Sequence, residues 1–151
     1  NSGRHRLNLH GAYDPIHRQT VCLLEDSVNS DSTVRLLNEI SRVVGKKGKT
    51  FVIVDGASYY VSKIVRDHAK SLGICLVFLP AYSPNLNLIE RLWKFFRKIV
   101  LANKYHETLE DFRHATIQFF KNIGRRYRCQ IETLMTETFH LFDHPEPAES
   151  G

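Results

Sequence analysis

The chain has 151 residues, 42% of them hydrophobic and 25% charged, which fits one soluble domain with a buried core and excludes a disordered or fibrous chain. The formal net charge of +5 and pI near 9.2 are compatible with nucleic acid as a partner without showing it. No apolar run approaches the roughly 18 residues of a membrane span, and three cysteines with no signal-peptide pattern read as buried or free thiols of a reducing compartment.

Taken in chain order, Arg6 to Tyr13 alternates as a strand, Asp14-Pro15 signals a turn, and Arg18 to Glu25 reads as the hairpin partner. Ser30-Asp31-Ser32 supplies N-cap candidates for a helix carrying Val34, Leu37, Ile40 and Val44. Gly45 to Lys49 breaks that helix and leads into the strand Thr50 to Asp55. Val61, Ile64, Val65, His68 and Leu72 mark an amphipathic helix ending at Gly73. Ile74 to Leu79 is a continuous apolar run, the pattern of a parallel strand covered on both faces. The Pro80–Leu86 loop precedes the strongest helical segment, with Leu88, Leu92, Phe95 and Ile99 on its core stripe. Thr108 and Asp111 form a capping pair for the next helix, and a last helix spans about 126 to 139. The expected architecture is α/β, a mixed sheet flanked by helices, in one domain over residues 1–143 with a disordered tail over 144–151. The chain opens on Asn1 with structured sequence from Arg4, so it reads as a piece of a longer protein.

Asp55 ends a strand and Glu90 opens a helix, with 34 residues between them. This places both carboxylates at one edge of a parallel sheet, where α/β sites are built. Two hard oxygen ligands there suit Mg²⁺ held against a phosphate. Each residue also has a simpler reading. Asp55 before Gly56 fits a turn, and Glu90 fits a capping-box partner of Asn87 or an i,i+4 partner of Lys94.

The segments Val54-Asp55-Gly56-Ala57-Ser58-Tyr59-Tyr60 and Phe78-Leu79-Pro80-Ala81-Tyr82-Ser83-Pro84-Asn85-Leu86-Asn87-Leu88-Ile89-Glu90-Arg91-Leu92-Trp93 resemble the DDE transposases of bacterial insertion sequences, in the branch related to the mariner elements. The resemblance covers about residues 4–140. It implies an RNase H-like fold that lacks its first strand here. It implies Asp55 and Glu90 as the second and third acids of a metal-binding triad, using Mg²⁺ or Mn²⁺. It also implies cleavage at transposon ends followed by attack of a 3′-hydroxyl on target DNA, and a homodimer on DNA in the bacterial, nucleoid-associated cytoplasm. The triad's first Asp has no counterpart: Asp14 sits in the hairpin turn, and Asp26 lacks the family's context. The chain alone is therefore expected to be inactive or very weak. Leu88 stands where the family usually has Pro, Asn85 where it often has Asp, and Tyr60 where it often has His.

On the Glu90 helix, Lys94 and Arg97 fall near the Glu90 stripe with Arg91 and Lys98 beside it, a cation track for a DNA backbone or a solvated face. His140 and His144 have chelating i,i+4 spacing, which Pro145 argues against. Two other readings compete: another RNase H-like nuclease, and a non-catalytic DNA-binding or dimerising remnant.

Overall fold

The computed structural model describes residues 7–46, 48–83, 86–102 and 104–136. The hairpin is β1, Asn8–Asp14, paired antiparallel with β2, Gln19–Glu25, with His10 opposite Leu23. Its turn is closed by Asp14, whose Oδ1 accepts from the backbone N–H groups of Ile16 and His17 at 2.9 and 3.2 Å. Asp14 is thus a turn residue, as its neighbour Pro15 implies.

Helix α1, Ser30–Val44, is capped by Asn29, one residue before the first expected candidate. Asn29 accepts from the Ser32 N–H at 3.0 Å, and Ser32 Oγ accepts from the Asn29 N–H at 2.8 Å, a reciprocal capping box. Strand β3, Thr50–Val54, pairs in parallel with β4, Ile74–Phe78. The expected single helix between them is two pieces, α2, Ser58–Val61, and α3, Lys63–Ser71. The break is Ser62, extended at φ −62° and ψ 144°, whose hydroxyl caps Val65. Helix α4, Leu88–Phe96, continues as a π-helical turn over Arg97–Leu101. Helix α5, Leu109–Asn122, carries the expected Thr108–Asp111 capping box, and α6 spans Arg128–Thr136. The expected end of the last helix, the tail over 144–151, His140 and His144 lie outside the described residues.

The expected mixed α/β architecture is present. Among the described residues its strands form two ladders, β1–β2 and β3–β4, with no hydrogen-bonded pairing between β1 and β3. Helix α1 joins them from one side. Its Leu36, Leu37 and Ile40 pack with Val65, Ala69 and Ile74, against Ala12 and Leu23 of the hairpin and Val52 and Leu76 of the parallel pair. On the opposite side of the hairpin, α4, α5 and α6 build a second core from Leu92, Phe95, Phe96, Val100, Phe119 and Ile131, packed on Leu9 and Tyr13. Gly11 lies under this layer: a Cβ there would stand 2.6 Å from the Val21 carbonyl oxygen and 3.0 Å from Trp93 Cη2.

One expectation fails. The apolar run of β4 is not covered on both faces among the described residues. Val54 and Ile74 are buried, but Phe51 and Ile53 are 61% and 57% exposed, and their register partners Cys75 and Val77 are exposed too. Apolar composition reports that a strand can be covered, not that the chain supplies the cover.

Candidate functional site

Asp55 follows β3 directly and is exposed at the carboxyl edge of the parallel pair. The ladder closes beneath it where the Leu79 N–H donates to the Val54 carbonyl at 2.8 Å, so both strands end at this edge. Asp55 Oδ1 accepts from the Ala57 N–H at 3.0 Å, the local turn its sequence suggests. That bond occupies one oxygen and orients the carboxylate, leaving Oδ2 without a hydrogen-bond or ion-pair partner among the described residues.

Glu90 lies in the first turn of α4 and is exposed. The simpler readings of this residue are not met. Asn87 caps the helix through Ile89 N–H at 3.4 Å, and the Glu90 side chain does not answer it in a capping box. No ion pair joins Glu90 to Lys94 or to any other described residue. An acidic side chain at a helix N-terminus is favoured by the helix dipole and here remains available.

Tyr59 is half-buried in the segment that follows Asp55. Its phenol pKa is raised, first by burial and then by the charges of both Asp55 and Glu90. Around it sit Tyr60 and His10, with the His10 ring 5.8 Å from Tyr59 and 6.2 Å from Tyr60, both edge-on. His10 is only 5% exposed, and its Nε2 lies 3.2 Å from the Tyr60 hydroxyl. Burial is the largest influence on His10 and lowers its pKa, against smaller upward pulls from Glu25 and Asp55. Burial likewise drives the Tyr60 pKa far up. Both groups are therefore neutral around pH 7. Sequence patterns do not announce this aromatic floor. The available signal was His10 on the inward-facing register of a strand and the Tyr59-Tyr60 pair just after Asp55.

The four cations of the Glu90 helix are not equivalent. Lys94, Arg97 and Lys98 are exposed. Arg91 is half-buried and donates from Nη1 to the Leu134 carbonyl at 2.7 Å, which ties α4 to α6. In the loop before α4, Tyr82 holds a left-handed φ of +61° with its side chain wholly exposed. Of the cysteines, Cys22 is an inert thiol pushed up to about 12 by burial, while Cys75 and Cys129 are exposed. Among the described residues no three His, Cys, Asp or Glu side chains gather as a metal-binding group. No described helix is long and apolar enough to cross a membrane.

The scaffold is α/β, with Asp55 exposed at the carboxyl edge of the parallel strands and Glu90 exposed in the first turn of α4. The chain belongs to the DDE superfamily endonucleases, whose family model matches residues 1–113. It is 39% identical over 70 residues to the transposable element Tc3 transposase of Caenorhabditis elegans, covering 46% of this chain and 21% of that protein. It is 33% identical over 75 residues to an uncharacterized protein of Sinorhizobium fredii, covering 50% of this chain and 53% of that one. The chain thus matches only part of the length of these relatives. In structure it resembles the catalytic domain of Mos1 mariner transposase, with a TM-score of 0.63 and 15% identity over 89% of this chain and 79% of that one. It also resembles a chain of the simian T-cell lymphotropic virus intasome in complex with PP2A regulatory subunit B56 gamma, with a TM-score of 0.64 and 16% identity over 95% of this chain and 52% of that one. These likenesses establish the RNase H-like fold and bear out the resemblance to a mariner-related DDE family.

Proposed function

We propose that this chain is the catalytic domain of a DNA transposase and that Asp55 and Glu90 are metal ligands. The observation that carries the reading is two exposed carboxylates, Asp55 after the end of β3 and oriented by Ala57, and Glu90 in the first turn of α4, unanswered by cap or cation among the described residues. Their all-oxygen chemistry fits Mg²⁺ or Mn²⁺. A divalent ion bound there supplies charge neutralisation for the in-line transition state of phosphodiester cleavage and strand transfer. The chain's own residues orient: Asp55 from a rigid strand end, Glu90 from the first helical turn. The exposed Lys94, Arg97 and Lys98 contact the DNA backbone, with Arg91 bracing the helix that carries them. Both carboxylates are exposed, as a polymeric substrate requires.

The reaction is cleavage at transposon ends and attack of the freed 3′-hydroxyl on target DNA, by a homodimer in the bacterial nucleoid. The family resemblance calls for a third carboxylate beside Asp55 and Glu90, so with these two alone DNA is cut weakly. The absence of a three-ligand group among the described residues favours one other reading, a DNA-binding remnant without catalysis.

In the full-length protein, Asp55→Asn and Glu90→Gln are each expected to lower Mg²⁺-dependent DNA cleavage by more than about 100-fold, beyond the loss typical of an outer partner of a metal ligand. Retained cleavage in either variant sinks the assignment. A full-length protein that binds DNA but never cuts it supports the remnant.

A further inference from the structure

We infer that His10 is a positioning residue for the Asp55 carboxylate, acting from the hairpin through Tyr60 and Ala57. The inference rests on the reading of Asp55 as a metal ligand and extends it to two residues on different ladders.

Three hydrogen bonds, joined through the covalent frames of Tyr60 and Ala57, link them. The His10 Nε2 meets the Tyr60 hydroxyl at 3.2 Å. The Tyr60 N–H donates to the Ala57 carbonyl at 3.0 Å. The Ala57 N–H donates to Asp55 Oδ1 at 3.0 Å. The first link spans 50 residues and ties β1 to the segment that follows β3, two strands with no hydrogen-bonded pairing of their own. Asp55 itself is exposed and follows the last residue of its strand, so nothing in the β3–β4 ladder fixes its side chain. The turn from Asp55 to Tyr60 does so, and its far end is pinned by His10.

The anchor is costly. His10 Nδ1 is buried with no partner among the described residues, and Tyr60 is half-buried beside it. An unsatisfied buried polar atom destabilises the fold, a cost that an apolar pair of similar volume avoids. What the polar pair provides over an apolar one is direction: a hydroxyl held at one point fixes the Tyr60 ring and the turn attached to it. The pair is also uncharged, since burial disfavours imidazolium, so it braces the site without placing a cation beside the metal position.

The test uses the 151-residue chain with His10→Leu, Tyr60→Phe and His10→Gln, the last able to return an amide near the place of Nε2. Amide hydrogen exchange at Ala57, without metal, reads the turn. Mn²⁺ affinity by calorimetry reads the site. Tyr60→Phe and His10→Leu are expected to speed Ala57 exchange about 2–10-fold, as removal of one hydrogen bond implies. They are expected to weaken Mn²⁺ binding about 10-fold, with His10→Gln recovering most of both. Tyr60→Phe removes one oxygen and keeps the ring, so it remains informative should His10→Leu unfold. If Tyr60→Phe is folded with Ala57 exchange and Mn²⁺ affinity unchanged, His10 and Tyr60 are packing residues and the inference is wrong. Asp55→Asn, titrated in parallel, separates the two readings. Wild-type Mn²⁺ affinity in that variant overturns Asp55 as a ligand, while Ala57 exchange still decides whether His10 holds the turn.

Discussion

At the scale of residues, the site depends on what side chains leave undone. Asp55 spends one oxygen on its own turn and Glu90 spends none on its helix. Spacing and local pattern in the sequence pointed to both. They could not show that Glu90 declines the cap and the lysine, because those are outcomes of rotamer and loop geometry. Nor could they show the floor beneath the acids, since His10 and Tyr60 meet across 50 residues. That floor has a pH signature. Burial depresses the folded-state pKa of His10 below its ordinary 6.5, so the unfolded chain takes a proton more readily than the folded one. The stability His10 contributes is complete above the unfolded value and is lost as pH falls through the folded one. Thermal unfolding followed from about pH 7.5 to about pH 5 is expected to show a decline that is shallower in His10→Gln. Parallel curves for the two proteins would show that His10 does not titrate as a buried neutral group.

At the scale of elements, periodicity carried most of the reading. Every expected strand and helix is present in order, and the Thr108–Asp111 capping box is where the sequence put it. Thr108→Ala is expected to cost about 1 kcal/mol in chemical denaturation, the usual penalty for removing such a cap. The cap of α1 fell on Asn29 rather than on Ser30 to Ser32, because the box needs a partner at its third helical residue and Ser32 provides it. The break at Ser62 had no Gly or Pro to announce it; a serine in extended conformation with a capping hydroxyl is enough. Helix α4 divides its cations between bracing and exposure, which no helical wheel can do without knowing where α6 lies. Replacing Lys94, Arg97 and Lys98 by Gln is expected to weaken DNA binding and reduce the slope of log affinity against log salt by up to about 2.7, near 0.9 for each phosphate no longer neutralised. An unchanged slope would mark this face as merely solvated.

At the scale of the whole molecule, two ladders are held by a helix layer on each side of the hairpin, and Asp55 lies at the edge of the parallel one. The fit between layers is tight at Gly11, where a methyl group meets both the neighbouring strand and Trp93 of α4. Gly11→Ala is expected to destabilise the fold by about 1–3 kcal/mol, an overpacking cost measurable by urea denaturation. The exposed apolar face of Phe51, Ile53, Cys75 and Val77 was not legible, because composition does not say which faces a chain covers. The family, by contrast, was legible from the segment around Glu90, where loop, cap and acid follow one another in a few residues.

As the proposed metal ligands, Asp55 and Glu90 would share one divalent ion. Calorimetric titration of Mn²⁺ into the wild-type chain, Asp55→Asn, Glu90→Gln and the double variant tests this directly. Two ligands of one ion are strongly coupled, so each single variant should lose most of the binding and the double variant little more. Wild-type affinity in either single variant, or losses that simply add, would contradict a shared site.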